Sequence, residues 1–321
     1  MILALAGGVG GARLAHGLAQ ELAPEELTIV VNTGDDFTHL GLHISPDLDT
    51  VMYTLAGMND PQKGWGIANE SWNFMAHLAR LGGETWFQLG DRDLATNAER
   101  TRRLRDGQSL SAVTEYLCGK LDVQHRIAPM CDDPVPTRVH TTGGVLDFQD
   151  YFVRQRARPT VVRLEYAGSA NSKMSSALRT CLENPALSAV IICPSNPYLS
   201  IAPILAVPGV RDAIAKARVP RLAVSPIIGG RALKGPAAKI MRELGKAVSA
   251  IEIANFYHGL VDGLVIDNVD AKLCDAISET GIRPFETATV MRNPQDRQQL
   301  AHDVVRFADQ LKLPAMRSAS A

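Results

Sequence analysis

The sequence predicts an α/β protein with a Rossmann-like fold, in which helices cover both faces of a mostly parallel sheet and a small β/α region is inserted. Three observations predict this fold. Short apolar runs bounded by turn residues recur along the chain, as expected of strands covered on both faces. Segments with helical periodicity alternate with these runs. Several runs end in glycine or polar residues, and the ligand crevice of an open α/β sheet lies at such strand ends.

The first strand, helix and connecting loop form a potential phosphate site. Residues 1–6 are an apolar run, residues 14–22 have helical periodicity, and residues 7–13 between them read Gly-Gly-Val-Gly-Gly-Ala-Arg. Glycines leave the backbone amides open to a phosphate at the positive end of the helix, and Arg13 adds a charge. The loop has neither the P-loop sequence nor the dinucleotide spacing, so a plain tight turn is the alternative.

Acidic residues follow the second predicted strand, residues 28–31. Asn32 comes directly after it, and two acidic pairs come next: Asp35 and Asp36, then Asp47 and Asp49. Mg²⁺ takes oxygen ligands and keeps several waters, so one or two carboxylates together with substrate phosphates suffice to hold it. The alternative is that these residues are solvated turn or helix-capping groups.

The third predicted strand, residues 85–89, also ends in charged residues, Asp91 and Arg92 among them. Three strand ends that carry acid, base and glycine predict one shared site. The arginines of residues 100–105 are expected on a solvated helix face. In the second half of the chain, predicted strands 189–193 and 221–224 end in polar turns that contain Ser195, Asn196, Ser225 and Gly229.

The remaining pattern sets the expected organisation. Alternation over residues 123–148 predicts a small β excursion, residues 287–291 a last strand and residues 295–312 a closing helix. We therefore expect a single domain over residues 1–312, with an insertion at roughly 97–158 and a flexible tail at 313–321.

Composition excludes several classes of protein. The 321 residues are 46% hydrophobic and 21% charged with a formal net charge of −1, so nucleic acid is not an expected partner. No leader-like segment or membrane-length apolar run is present, and the five scattered cysteines fit reduced thiols, which predicts a cytoplasmic protein. No nucleophile motif occurs. Clustered carboxylates, glycines and arginines without a nucleophile suit metal-assisted phosphoryl transfer.

Several of these motifs together resemble the 2-phospho-L-lactate transferase family of coenzyme F-420 biosynthesis, whose actinobacterial members are phosphoenolpyruvate transferases. The motifs are residues 7–13, 32–36, 46–55, 89–95, 194–197 and 225–229. The resemblance runs from residue 1 to about 312. It implies a homodimeric, Mg²⁺-dependent enzyme that transfers a phosphorylated three-carbon acid from its guanylyl diphosphate to the ribityl hydroxyl of the deazaflavin Fo, with release of GMP.

The resemblance also implies roles for individual residues. The expected catalytic residues are Asp35, Asp36, Asp49 and Asp91, and the expected metal ligands are Asp36, Asp47 and Asp49. The expected substrate-binding residues are Gly8, Gly10, Gly11, Arg13, Asn32, Gln88, Arg92, Ser195, Asn196, Ser225 and Gly229. Relatives commonly have Lys at the position of Gln88, so this chain departs from the family there. Residues 49–56 are predicted to form a helix whose cap is Asp47 or Asp49. Because we treat Asp49 as a carboxylate of the acidic loop at the start of that helix, we expect Asp49→Asn to abolish transfer and spare the fold.

Two alternatives remain at this stage. The gluconeogenesis-factor proteins share a glycine loop and a Rossmann-like core but act as regulators that bind nucleotide sugars. The continuous motifs at residues 47–55 and 89–95 favour the transferase. An NAD(P)-dependent dehydrogenase is a poorer match because the spacing of the glycine loop fails. The sequence does not distinguish lactate, enolpyruvate and glycerate as the transferred acid.

Overall fold

A computed structural model describes the backbone of residues 1–318 and the side chains of residues 1–312. The strands are β1 (Ile2–Ala6), β2 (Leu27–Val31), β3 (Phe37–His39), β4 (Leu42–Ile44), β5 (Arg126–Pro129), β6 (Thr137–Thr141), β7 (Gly144–Asp147), β8 (Val161–Tyr166), β9 (Ala189–Ile192), β10 (Arg221–Val224), β11 (Ile227–Ile228), β12 (Arg231–Ala232), β13 (Gly263–Asp267) and β14 (Arg283–Thr287). The helices are α1 (Gly8–Glu21), α2 (Pro46–Leu55), α3 (Asn73–Arg80), α4 (Asp91–Arg105), α5 (Leu110–Lys120), α6 (Ser176–Glu183), α7 (Ala202–Ala206), α8 (Val210–Lys216), α9 (Ala237–Glu243), α10 (Ala250–Phe256), α11 (Cys274–Ser278) and α12 (Pro294–Ser318).

The central sheet of the described chain has seven parallel strands in the order β14-β13-β10-β9-β1-β2-β5. Every residue of β1 and β2 is buried, which matches the continuous apolar runs that predicted them. Successive side chains of β1 point to opposite faces, so Ala4 and Ala6 join one core and Leu3 and Leu5 the other. Helices α1, α2, α5 and α12 cover the first face, and α6, α7, α8 and α10 cover the second. The predicted Rossmann-like α/β fold is confirmed.

The strand order places a topological switch point between β1 and β9. From β1 the chain runs to β2 and β5 on one side, and it later returns to β9, β10, β13 and β14 on the other side. In open α/β sheets the loops at the carboxyl ends of such neighbouring strands form the ligand crevice. The segments after β1 and β9 are therefore brought to one place by the fold.

A small antiparallel sheet, β7-β6-β8, packs beside this crevice. Val139 and Val161 from this sheet form a separate core with Phe148, Tyr151 and Ile240. The boundaries differ from the expected insertion at residues 97–158. Strand β5 lies within that range but pairs with β2 in the main sheet, because its Ile127 and Ala128 are buried there, and β8 extends the small sheet to Tyr166.

Three other expectations about elements are wrong. Residues 85–89 do not form a strand, because Phe87 and Leu89 pack on Ile44 and Met75 outside the central sheet. The last strand is β14 and not residues 287–291, since Pro284 is tolerated in an edge strand. Helix α12 continues to Ser318, past the expected end at residue 312. Residues 319–321 of the expected tail lie outside the described residues.

In the part of the chain that the structure describes, no single helix has the length and apolar character of a membrane span. The helical segment Pro197–Ala206, which ends in α7, and helix α8 (Val210–Lys216) meet those criteria only when they are counted as one span. The two segments are bent by 90° relative to each other. The five cysteines are all unpaired, as the sequence predicted.

Candidate active site at the strand switch point

The glycine loop after β1 contacts the turn after β9, as the strand order requires. The Gly7 amide donates to Ser195 Oγ at 3.0 Å, and Ser195 is buried. A Cβ on Gly10 would lie 2.3 Å from the carbonyl oxygen of Pro194, and one on Gly11 would lie 2.4 Å from Ser195 Oγ. Glycine is therefore required at both positions by close approach of the turn, not by an unusual backbone angle.

Asp47 links the glycine loop to the acidic residues that follow β2. Its Oδ1 accepts a hydrogen bond from the Gly8 amide at 2.8 Å, and its Oδ2 accepts one from Asn32 Nδ2 at 2.9 Å. The same Asn32 amide group donates to Asp35 Oδ1 at 3.0 Å. Asn32 is fully buried, so it holds both carboxylates in place directly beside the glycine loop.

Asp36 completes the acidic cluster, which we define as Asp35, Asp36 and Asp47. Its Oδ2 accepts from Ser45 Oγ at 2.8 Å and lies 3.1 Å from His43 Nε2. Its Oδ1 is buried and has no hydrogen-bond partner among the described residues. A buried carboxylate oxygen without a partner is costly, which points to a cationic or donor ligand at this atom.

Burial and mutual repulsion shift the pKa values of the cluster. Burial first, and then the Asp47 charge, raise the pKa of Asp35 well above its ordinary value. Burial raises the pKa of Asp47 to about 6, against the opposing hydrogen bonds from Asn32 and Gly8. The charge of Asp36 contributes to both shifts. Carboxyls with shifted pKa values in a crevice are characteristic of functional sites.

Asp49 lies in a different environment from the one expected. The helix predicted over residues 49–56 begins earlier, at Pro46 after the cap residue Ser45, so Asp49 lies inside the first turn of α2 and does not cap it. Arg100 Nη1 donates to Asp49 Oδ2 at 3.0 Å, and Arg100 Nη2 contacts Asp49 Oδ1. Burial raises the pKa of Asp49, and Arg100 opposes that shift. We therefore predict that Asp49→Asn destabilises the fold, because the substitution leaves Arg100 without a carboxylate.

Arg100 was expected on a solvated helix face, and this too is wrong. Its exposed fraction is 1%, and its Nη1 also donates to Asn97 Oδ1 at 2.6 Å. Asn97, Arg100 and Thr101 form the inner face of α4, whereas Arg102 and Arg105 point outward as predicted. This buried face of α4 consists of polar side chains, so it produces no hydrophobic periodicity. Its burial could therefore not be predicted from the sequence pattern.

A second polar pair, Tyr53 and Asp93, lies next to Asp49 and was not predicted from the sequence. The Tyr53 hydroxyl donates to Asp93 Oδ1 at 2.8 Å, and Asn97 Nδ2 lies 3.2 Å from the same oxygen. Burial, and then the Asp49 charge, raise the pKa of Asp93 to about 7. The spacing of Asp49 and Tyr53, four residues apart on α2, was the only available signal that both face α4.

A cavity of about 440 Å³ opens beside the acidic cluster. Asp35, Asp36 and His43 line one wall. Phe148 and Gln149 also line it, and Gln149 Nε2 donates to the Asp35 carbonyl at 3.2 Å. Cavities of this size hold small organic ligands, and the mixture of apolar and acidic walls suits a ligand that has a ring and hydroxyl groups.

The chain was compared with known proteins. A family model described as 2-phospho-L-lactate transferase CofD matches residues 2–306. The chain belongs to the 2-phospho-L-lactate transferase CofD family. It is 40% identical over 318 residues to a phosphoenolpyruvate transferase of Kitasatospora aureofaciens, covering 97% of this chain and 98% of that protein. It is 37% identical over 308 residues to a 2-phospho-L-lactate transferase of Methanosarcina acetivorans, covering 96% and 99%.

A solved structure supports the fold. A protein member of the UPF0052 family from Bacillus halodurans superposes with a TM-score of 0.59 at 13% identity, covering 95% of this chain and 98% of that chain. At this identity the likeness concerns the fold alone. The fold and the family expected from the sequence motifs are both confirmed.

Not every residue expected at the CofD-family site lies with the acidic cluster. Asp91 Oδ1 accepts from the Phe74 amide at 3.0 Å and its Oδ2 from Ser71 Oγ at 2.6 Å, so it caps the start of α3. These hydrogen bonds lower the pKa of Asp91 to about 2. Gln88 and Arg92 are exposed, and their side chains bond to the carbonyls of Thr85 and Ala68.

The remaining predicted residues have local structural partners. Asn196 Oδ1 accepts from the amides of Tyr198 and Leu199 and so caps the following helix. Ser225 Oγ donates to the Ile227 carbonyl at 2.9 Å in the turn after β10. The Gly229 amide donates to Asp270 Oδ2 at 2.9 Å. Arg13 Nη1 donates to the carbonyl of Met291, three residues before α12 begins, at 2.9 Å.

The acidic cluster has the chemistry of an incomplete Mg²⁺ site. Among the described residues no group of three His, Cys, Asp or Glu side chains could hold a metal ion alone. Asp36 Oδ1 nevertheless lacks a partner, and carboxylate oxygens are ligands that Mg²⁺ prefers. A divalent cation bound by one or two of these carboxylates, diphosphate oxygens and waters fits this arrangement.

Proposed function

We propose that the protein transfers a phosphorylated three-carbon acid from its guanylyl diphosphate to the ribityl hydroxyl of the deazaflavin Fo. The product would be coenzyme F-420-0 or its dehydro form. One observation carries the proposal: the hydrogen bond of 2.8 Å from the Gly8 amide to Asp47 joins the glycine loop to the acidic cluster. A phosphate site and a carboxylate site thus lie in contact at one switch point, beside a cavity for the acceptor.

The glycine loop supports a role in binding the donor. It opens α1, where Asp47 accepts from the Gly8 amide, and the later amides of the first turn, which have no partner within the helix, are the ones we assign to a diphosphate. Gly8 has a φ of +62°, which a glycine adopts without strain and which turns the loop into the helix. The turn after β9 lies against the loop, so we place the guanosine beside these two segments, in the crevice at the carboxyl ends of β1 and β9.

The cavity supports a role in binding the acceptor. Its volume of about 440 Å³ lies within the range that holds small organic ligands. Phe37 and Phe148 offer apolar surface for a planar ring system. Asp35 and Asp36 on its wall would meet the hydroxyl end of the acceptor.

The reaction would exchange one phosphorus–oxygen bond for another. The acceptor hydroxyl oxygen bonds to the phosphorus nearest the acid, the bond from that phosphorus to the GMP oxygen breaks, and GMP leaves with the bonding electrons. The hydroxyl proton passes to a carboxylate of the acidic cluster. Asp35 suits this role because it lines the cavity and its raised pKa favours holding a proton.

We propose that Asp36 and Asp47 would hold Mg²⁺ together with diphosphate oxygens and waters, and that the ion when bound would neutralise developing charge on the transferred phosphoryl group. Asp49 differs from these two residues because both its oxygens accept from Arg100. We therefore assign Asp49 to orienting the metal-binding end of α2 and not to direct coordination.

The decisive experiment is mass spectrometry of the product formed from Fo, GTP, Mg²⁺ and each candidate acid, together with the guanylyltransferase that makes the donor. We expect product from the wild type and a loss of about a hundredfold or more in rate for Asp36→Asn. Asp106→Asn, the same change at an exposed helix end, is the matched control and should keep the wild-type rate. No product with any acid, together with tight binding of a UDP-sugar, would instead identify a nucleotide-sugar regulator.

The expected homodimer is a proposal that depends on the family resemblance. Light scattering of the purified chain would measure its mass in solution. Twice the chain mass is the expected result, and a single chain mass would reject the dimer while leaving the proposed reaction intact.

A further inference from the structure

Basic side chains line the seam between α1 and the start of α12. Arg13 and His16 lie one turn apart on α1, and Arg297 lies in the first turn of α12. The helices touch at Gly17, where a Cβ would lie 2.1 Å from the Arg297 carbonyl oxygen. Arg13 crosses the seam to donate to the Met291 carbonyl at 2.9 Å. The three basic groups therefore share one narrow space, which we call the cationic seam.

The cationic seam contains buried polar atoms without hydrogen-bond partners. Arg13 Nε, His16 Nδ1 and Arg297 Nε are buried and have no hydrogen-bond partner among the described residues. Arg297 is only 8% exposed, and neither Arg13 nor Arg297 forms a salt bridge among the described residues. A buried guanidinium without an anion is unfavourable. The cationic seam therefore has the positive side chains of an ion pair but no negative partner among the described residues.

The basic groups also repel one another. Burial lowers the pKa of Arg13, and burial followed by the Arg13 charge lowers that of Arg297. Burial followed by the Arg297 charge lowers the pKa of His16. An anion placed among these groups would remove the repulsion and supply the missing acceptors at the same time.

The exposed Lys234 connects the seam to the glycine loop. Its Nζ donates to the carbonyls of Gln62 at 3.4 Å and Lys63 at 2.5 Å. A Cβ on Gly64 in the same loop would lie 2.5 Å from Val9 Cγ1 of the glycine loop and 3.3 Å from Lys234 Nζ. Burial, and then the Arg13 charge, lower the pKa of Lys234, and Asp60 opposes that shift. Lys234 next to the glycine loop and Arg13 in the cationic seam are therefore neighbouring positive side chains.

We propose that Arg13, His16 and Arg297, with Lys234 at the outer end, form an anion subsite that binds a phosphate group. Guanidinium groups match phosphate oxygens with paired hydrogen bonds, and the imidazole adds another donor. The subsite is separate from the glycine-loop amides, to which the proposed function assigns the donor diphosphate. The phosphate group belongs either to a nucleotide that extends from the loop or to free inorganic phosphate.

The test measures thermal stabilisation of the full chain by inorganic phosphate, against potassium chloride of equal ionic strength, with no metal or acceptor present. A ligand that binds only the folded protein raises the melting temperature in proportion to its occupancy. We expect saturable stabilisation of the wild type and an apparent Kd weaker by about tenfold or more for Arg297→Gln. Arg292→Gln, the same change at an exposed position five residues earlier, should keep the wild-type affinity.

A second set of measurements secures the interpretation. Arg13→Gln should weaken phosphate binding in the same way, and Arg297→Lys should recover part of the affinity. If GDP competes with phosphate in the wild type, the subsite serves a nucleotide phosphate, and additive stabilisation identifies a separate phosphate ligand. Absence of phosphate-specific stabilisation in the wild type, or equal loss in Arg297→Gln and Arg292→Gln, would overturn the proposal. Neither result depends on transferase activity, so the proposed function is tested separately.

Discussion

At the scale of single residues, Asp49 and Arg100 depend on each other. Arg100→Met leaves the Asp49 carboxylate buried without its partner, so we expect the free energy of unfolding to fall by about 3–5 kcal/mol. Arg102→Met on the outer face of α4 is the matched control and should change it by less than about 1 kcal/mol. Urea denaturation of both variants measures the difference. Equal stability of the two would show that the buried pair contributes nothing to the fold.

Asp93 gives the stability of the protein a dependence on pH. Its folded pKa of about 7 lies above the ordinary value near 3.8, so the folded state binds the proton more tightly than the unfolded state. The associated stability is complete below about pH 4 and is lost as pH rises through about 7. Each unit of pKa shift corresponds to about 1.4 kcal/mol.

Asp93→Asn removes this titration and should flatten the decline in melting temperature between pH 4.5 and 7.5, relative to the wild type. Asp91→Asn serves as the control. The pKa of Asp91 is lowered to about 2, so Asp91 stays ionised across this range and its replacement should shift the melting curve equally at every pH. A decline in Asp93→Asn as steep as in the wild type would contradict the assigned pKa.

The sequence identified some site residues and not others for a physical reason. Asn32, Asp35, Asp36 and Asp47 follow a strand or begin a helix, where chain position alone predicts that polar groups face a crevice. Arg100 and Asp93 lie inside a helix whose buried face is polar. Periodicity in hydrophobicity detects apolar burial only, so residues of that kind become visible only when the packing of α2 on α4 is known.

At the scale of elements, the glycine loop and the turn after β9 form a close fit. Gly10→Ala places a Cβ about 2.3 Å from a backbone carbonyl oxygen, so one segment must move. We expect a loss of about 1–3 kcal/mol in stability and weaker GDP binding. Gly119→Ala in α5 meets no atom within 4 Å and should raise stability by about 0.5–1 kcal/mol. Chemical denaturation and GDP titration of both variants make the comparison.

Unchanged GDP binding in Gly10→Ala would mean that the nucleotide does not use this loop.

Elements with continuous apolar runs, such as β1, β2 and β9, were predicted because they are buried on both faces. Residues 85–89 have a similar run but bury it against a hairpin and α3, and β14 was misplaced because of Pro284. Local pattern indicates burial but does not say against which surface.

At the scale of the whole molecule, strand order decides whether the motifs meet. The sequence predicted parallel strands with ligand residues at their carboxyl ends, but the position of β1 between β2 and β9 depends on long-range pairing that no local pattern encodes. That position brings residues almost 190 apart in sequence into the Gly7–Ser195 hydrogen bond. Strands β6 and β7 of the small sheet then line the same cavity as Asp35 and Asp36.

The most direct test of the central claim is a crystal structure of the protein with GDP and Mn²⁺, a substitute for Mg²⁺ that anomalous scattering can locate. We expect the diphosphate against the amides of Gly10 and Gly11, and the Mn²⁺ peak within coordination distance of Asp36 and a second carboxylate of the acidic cluster. A nucleotide bound away from the β1–β9 switch point, or an Mn²⁺ peak that contacts none of Asp35, Asp36 and Asp47, would contradict the account.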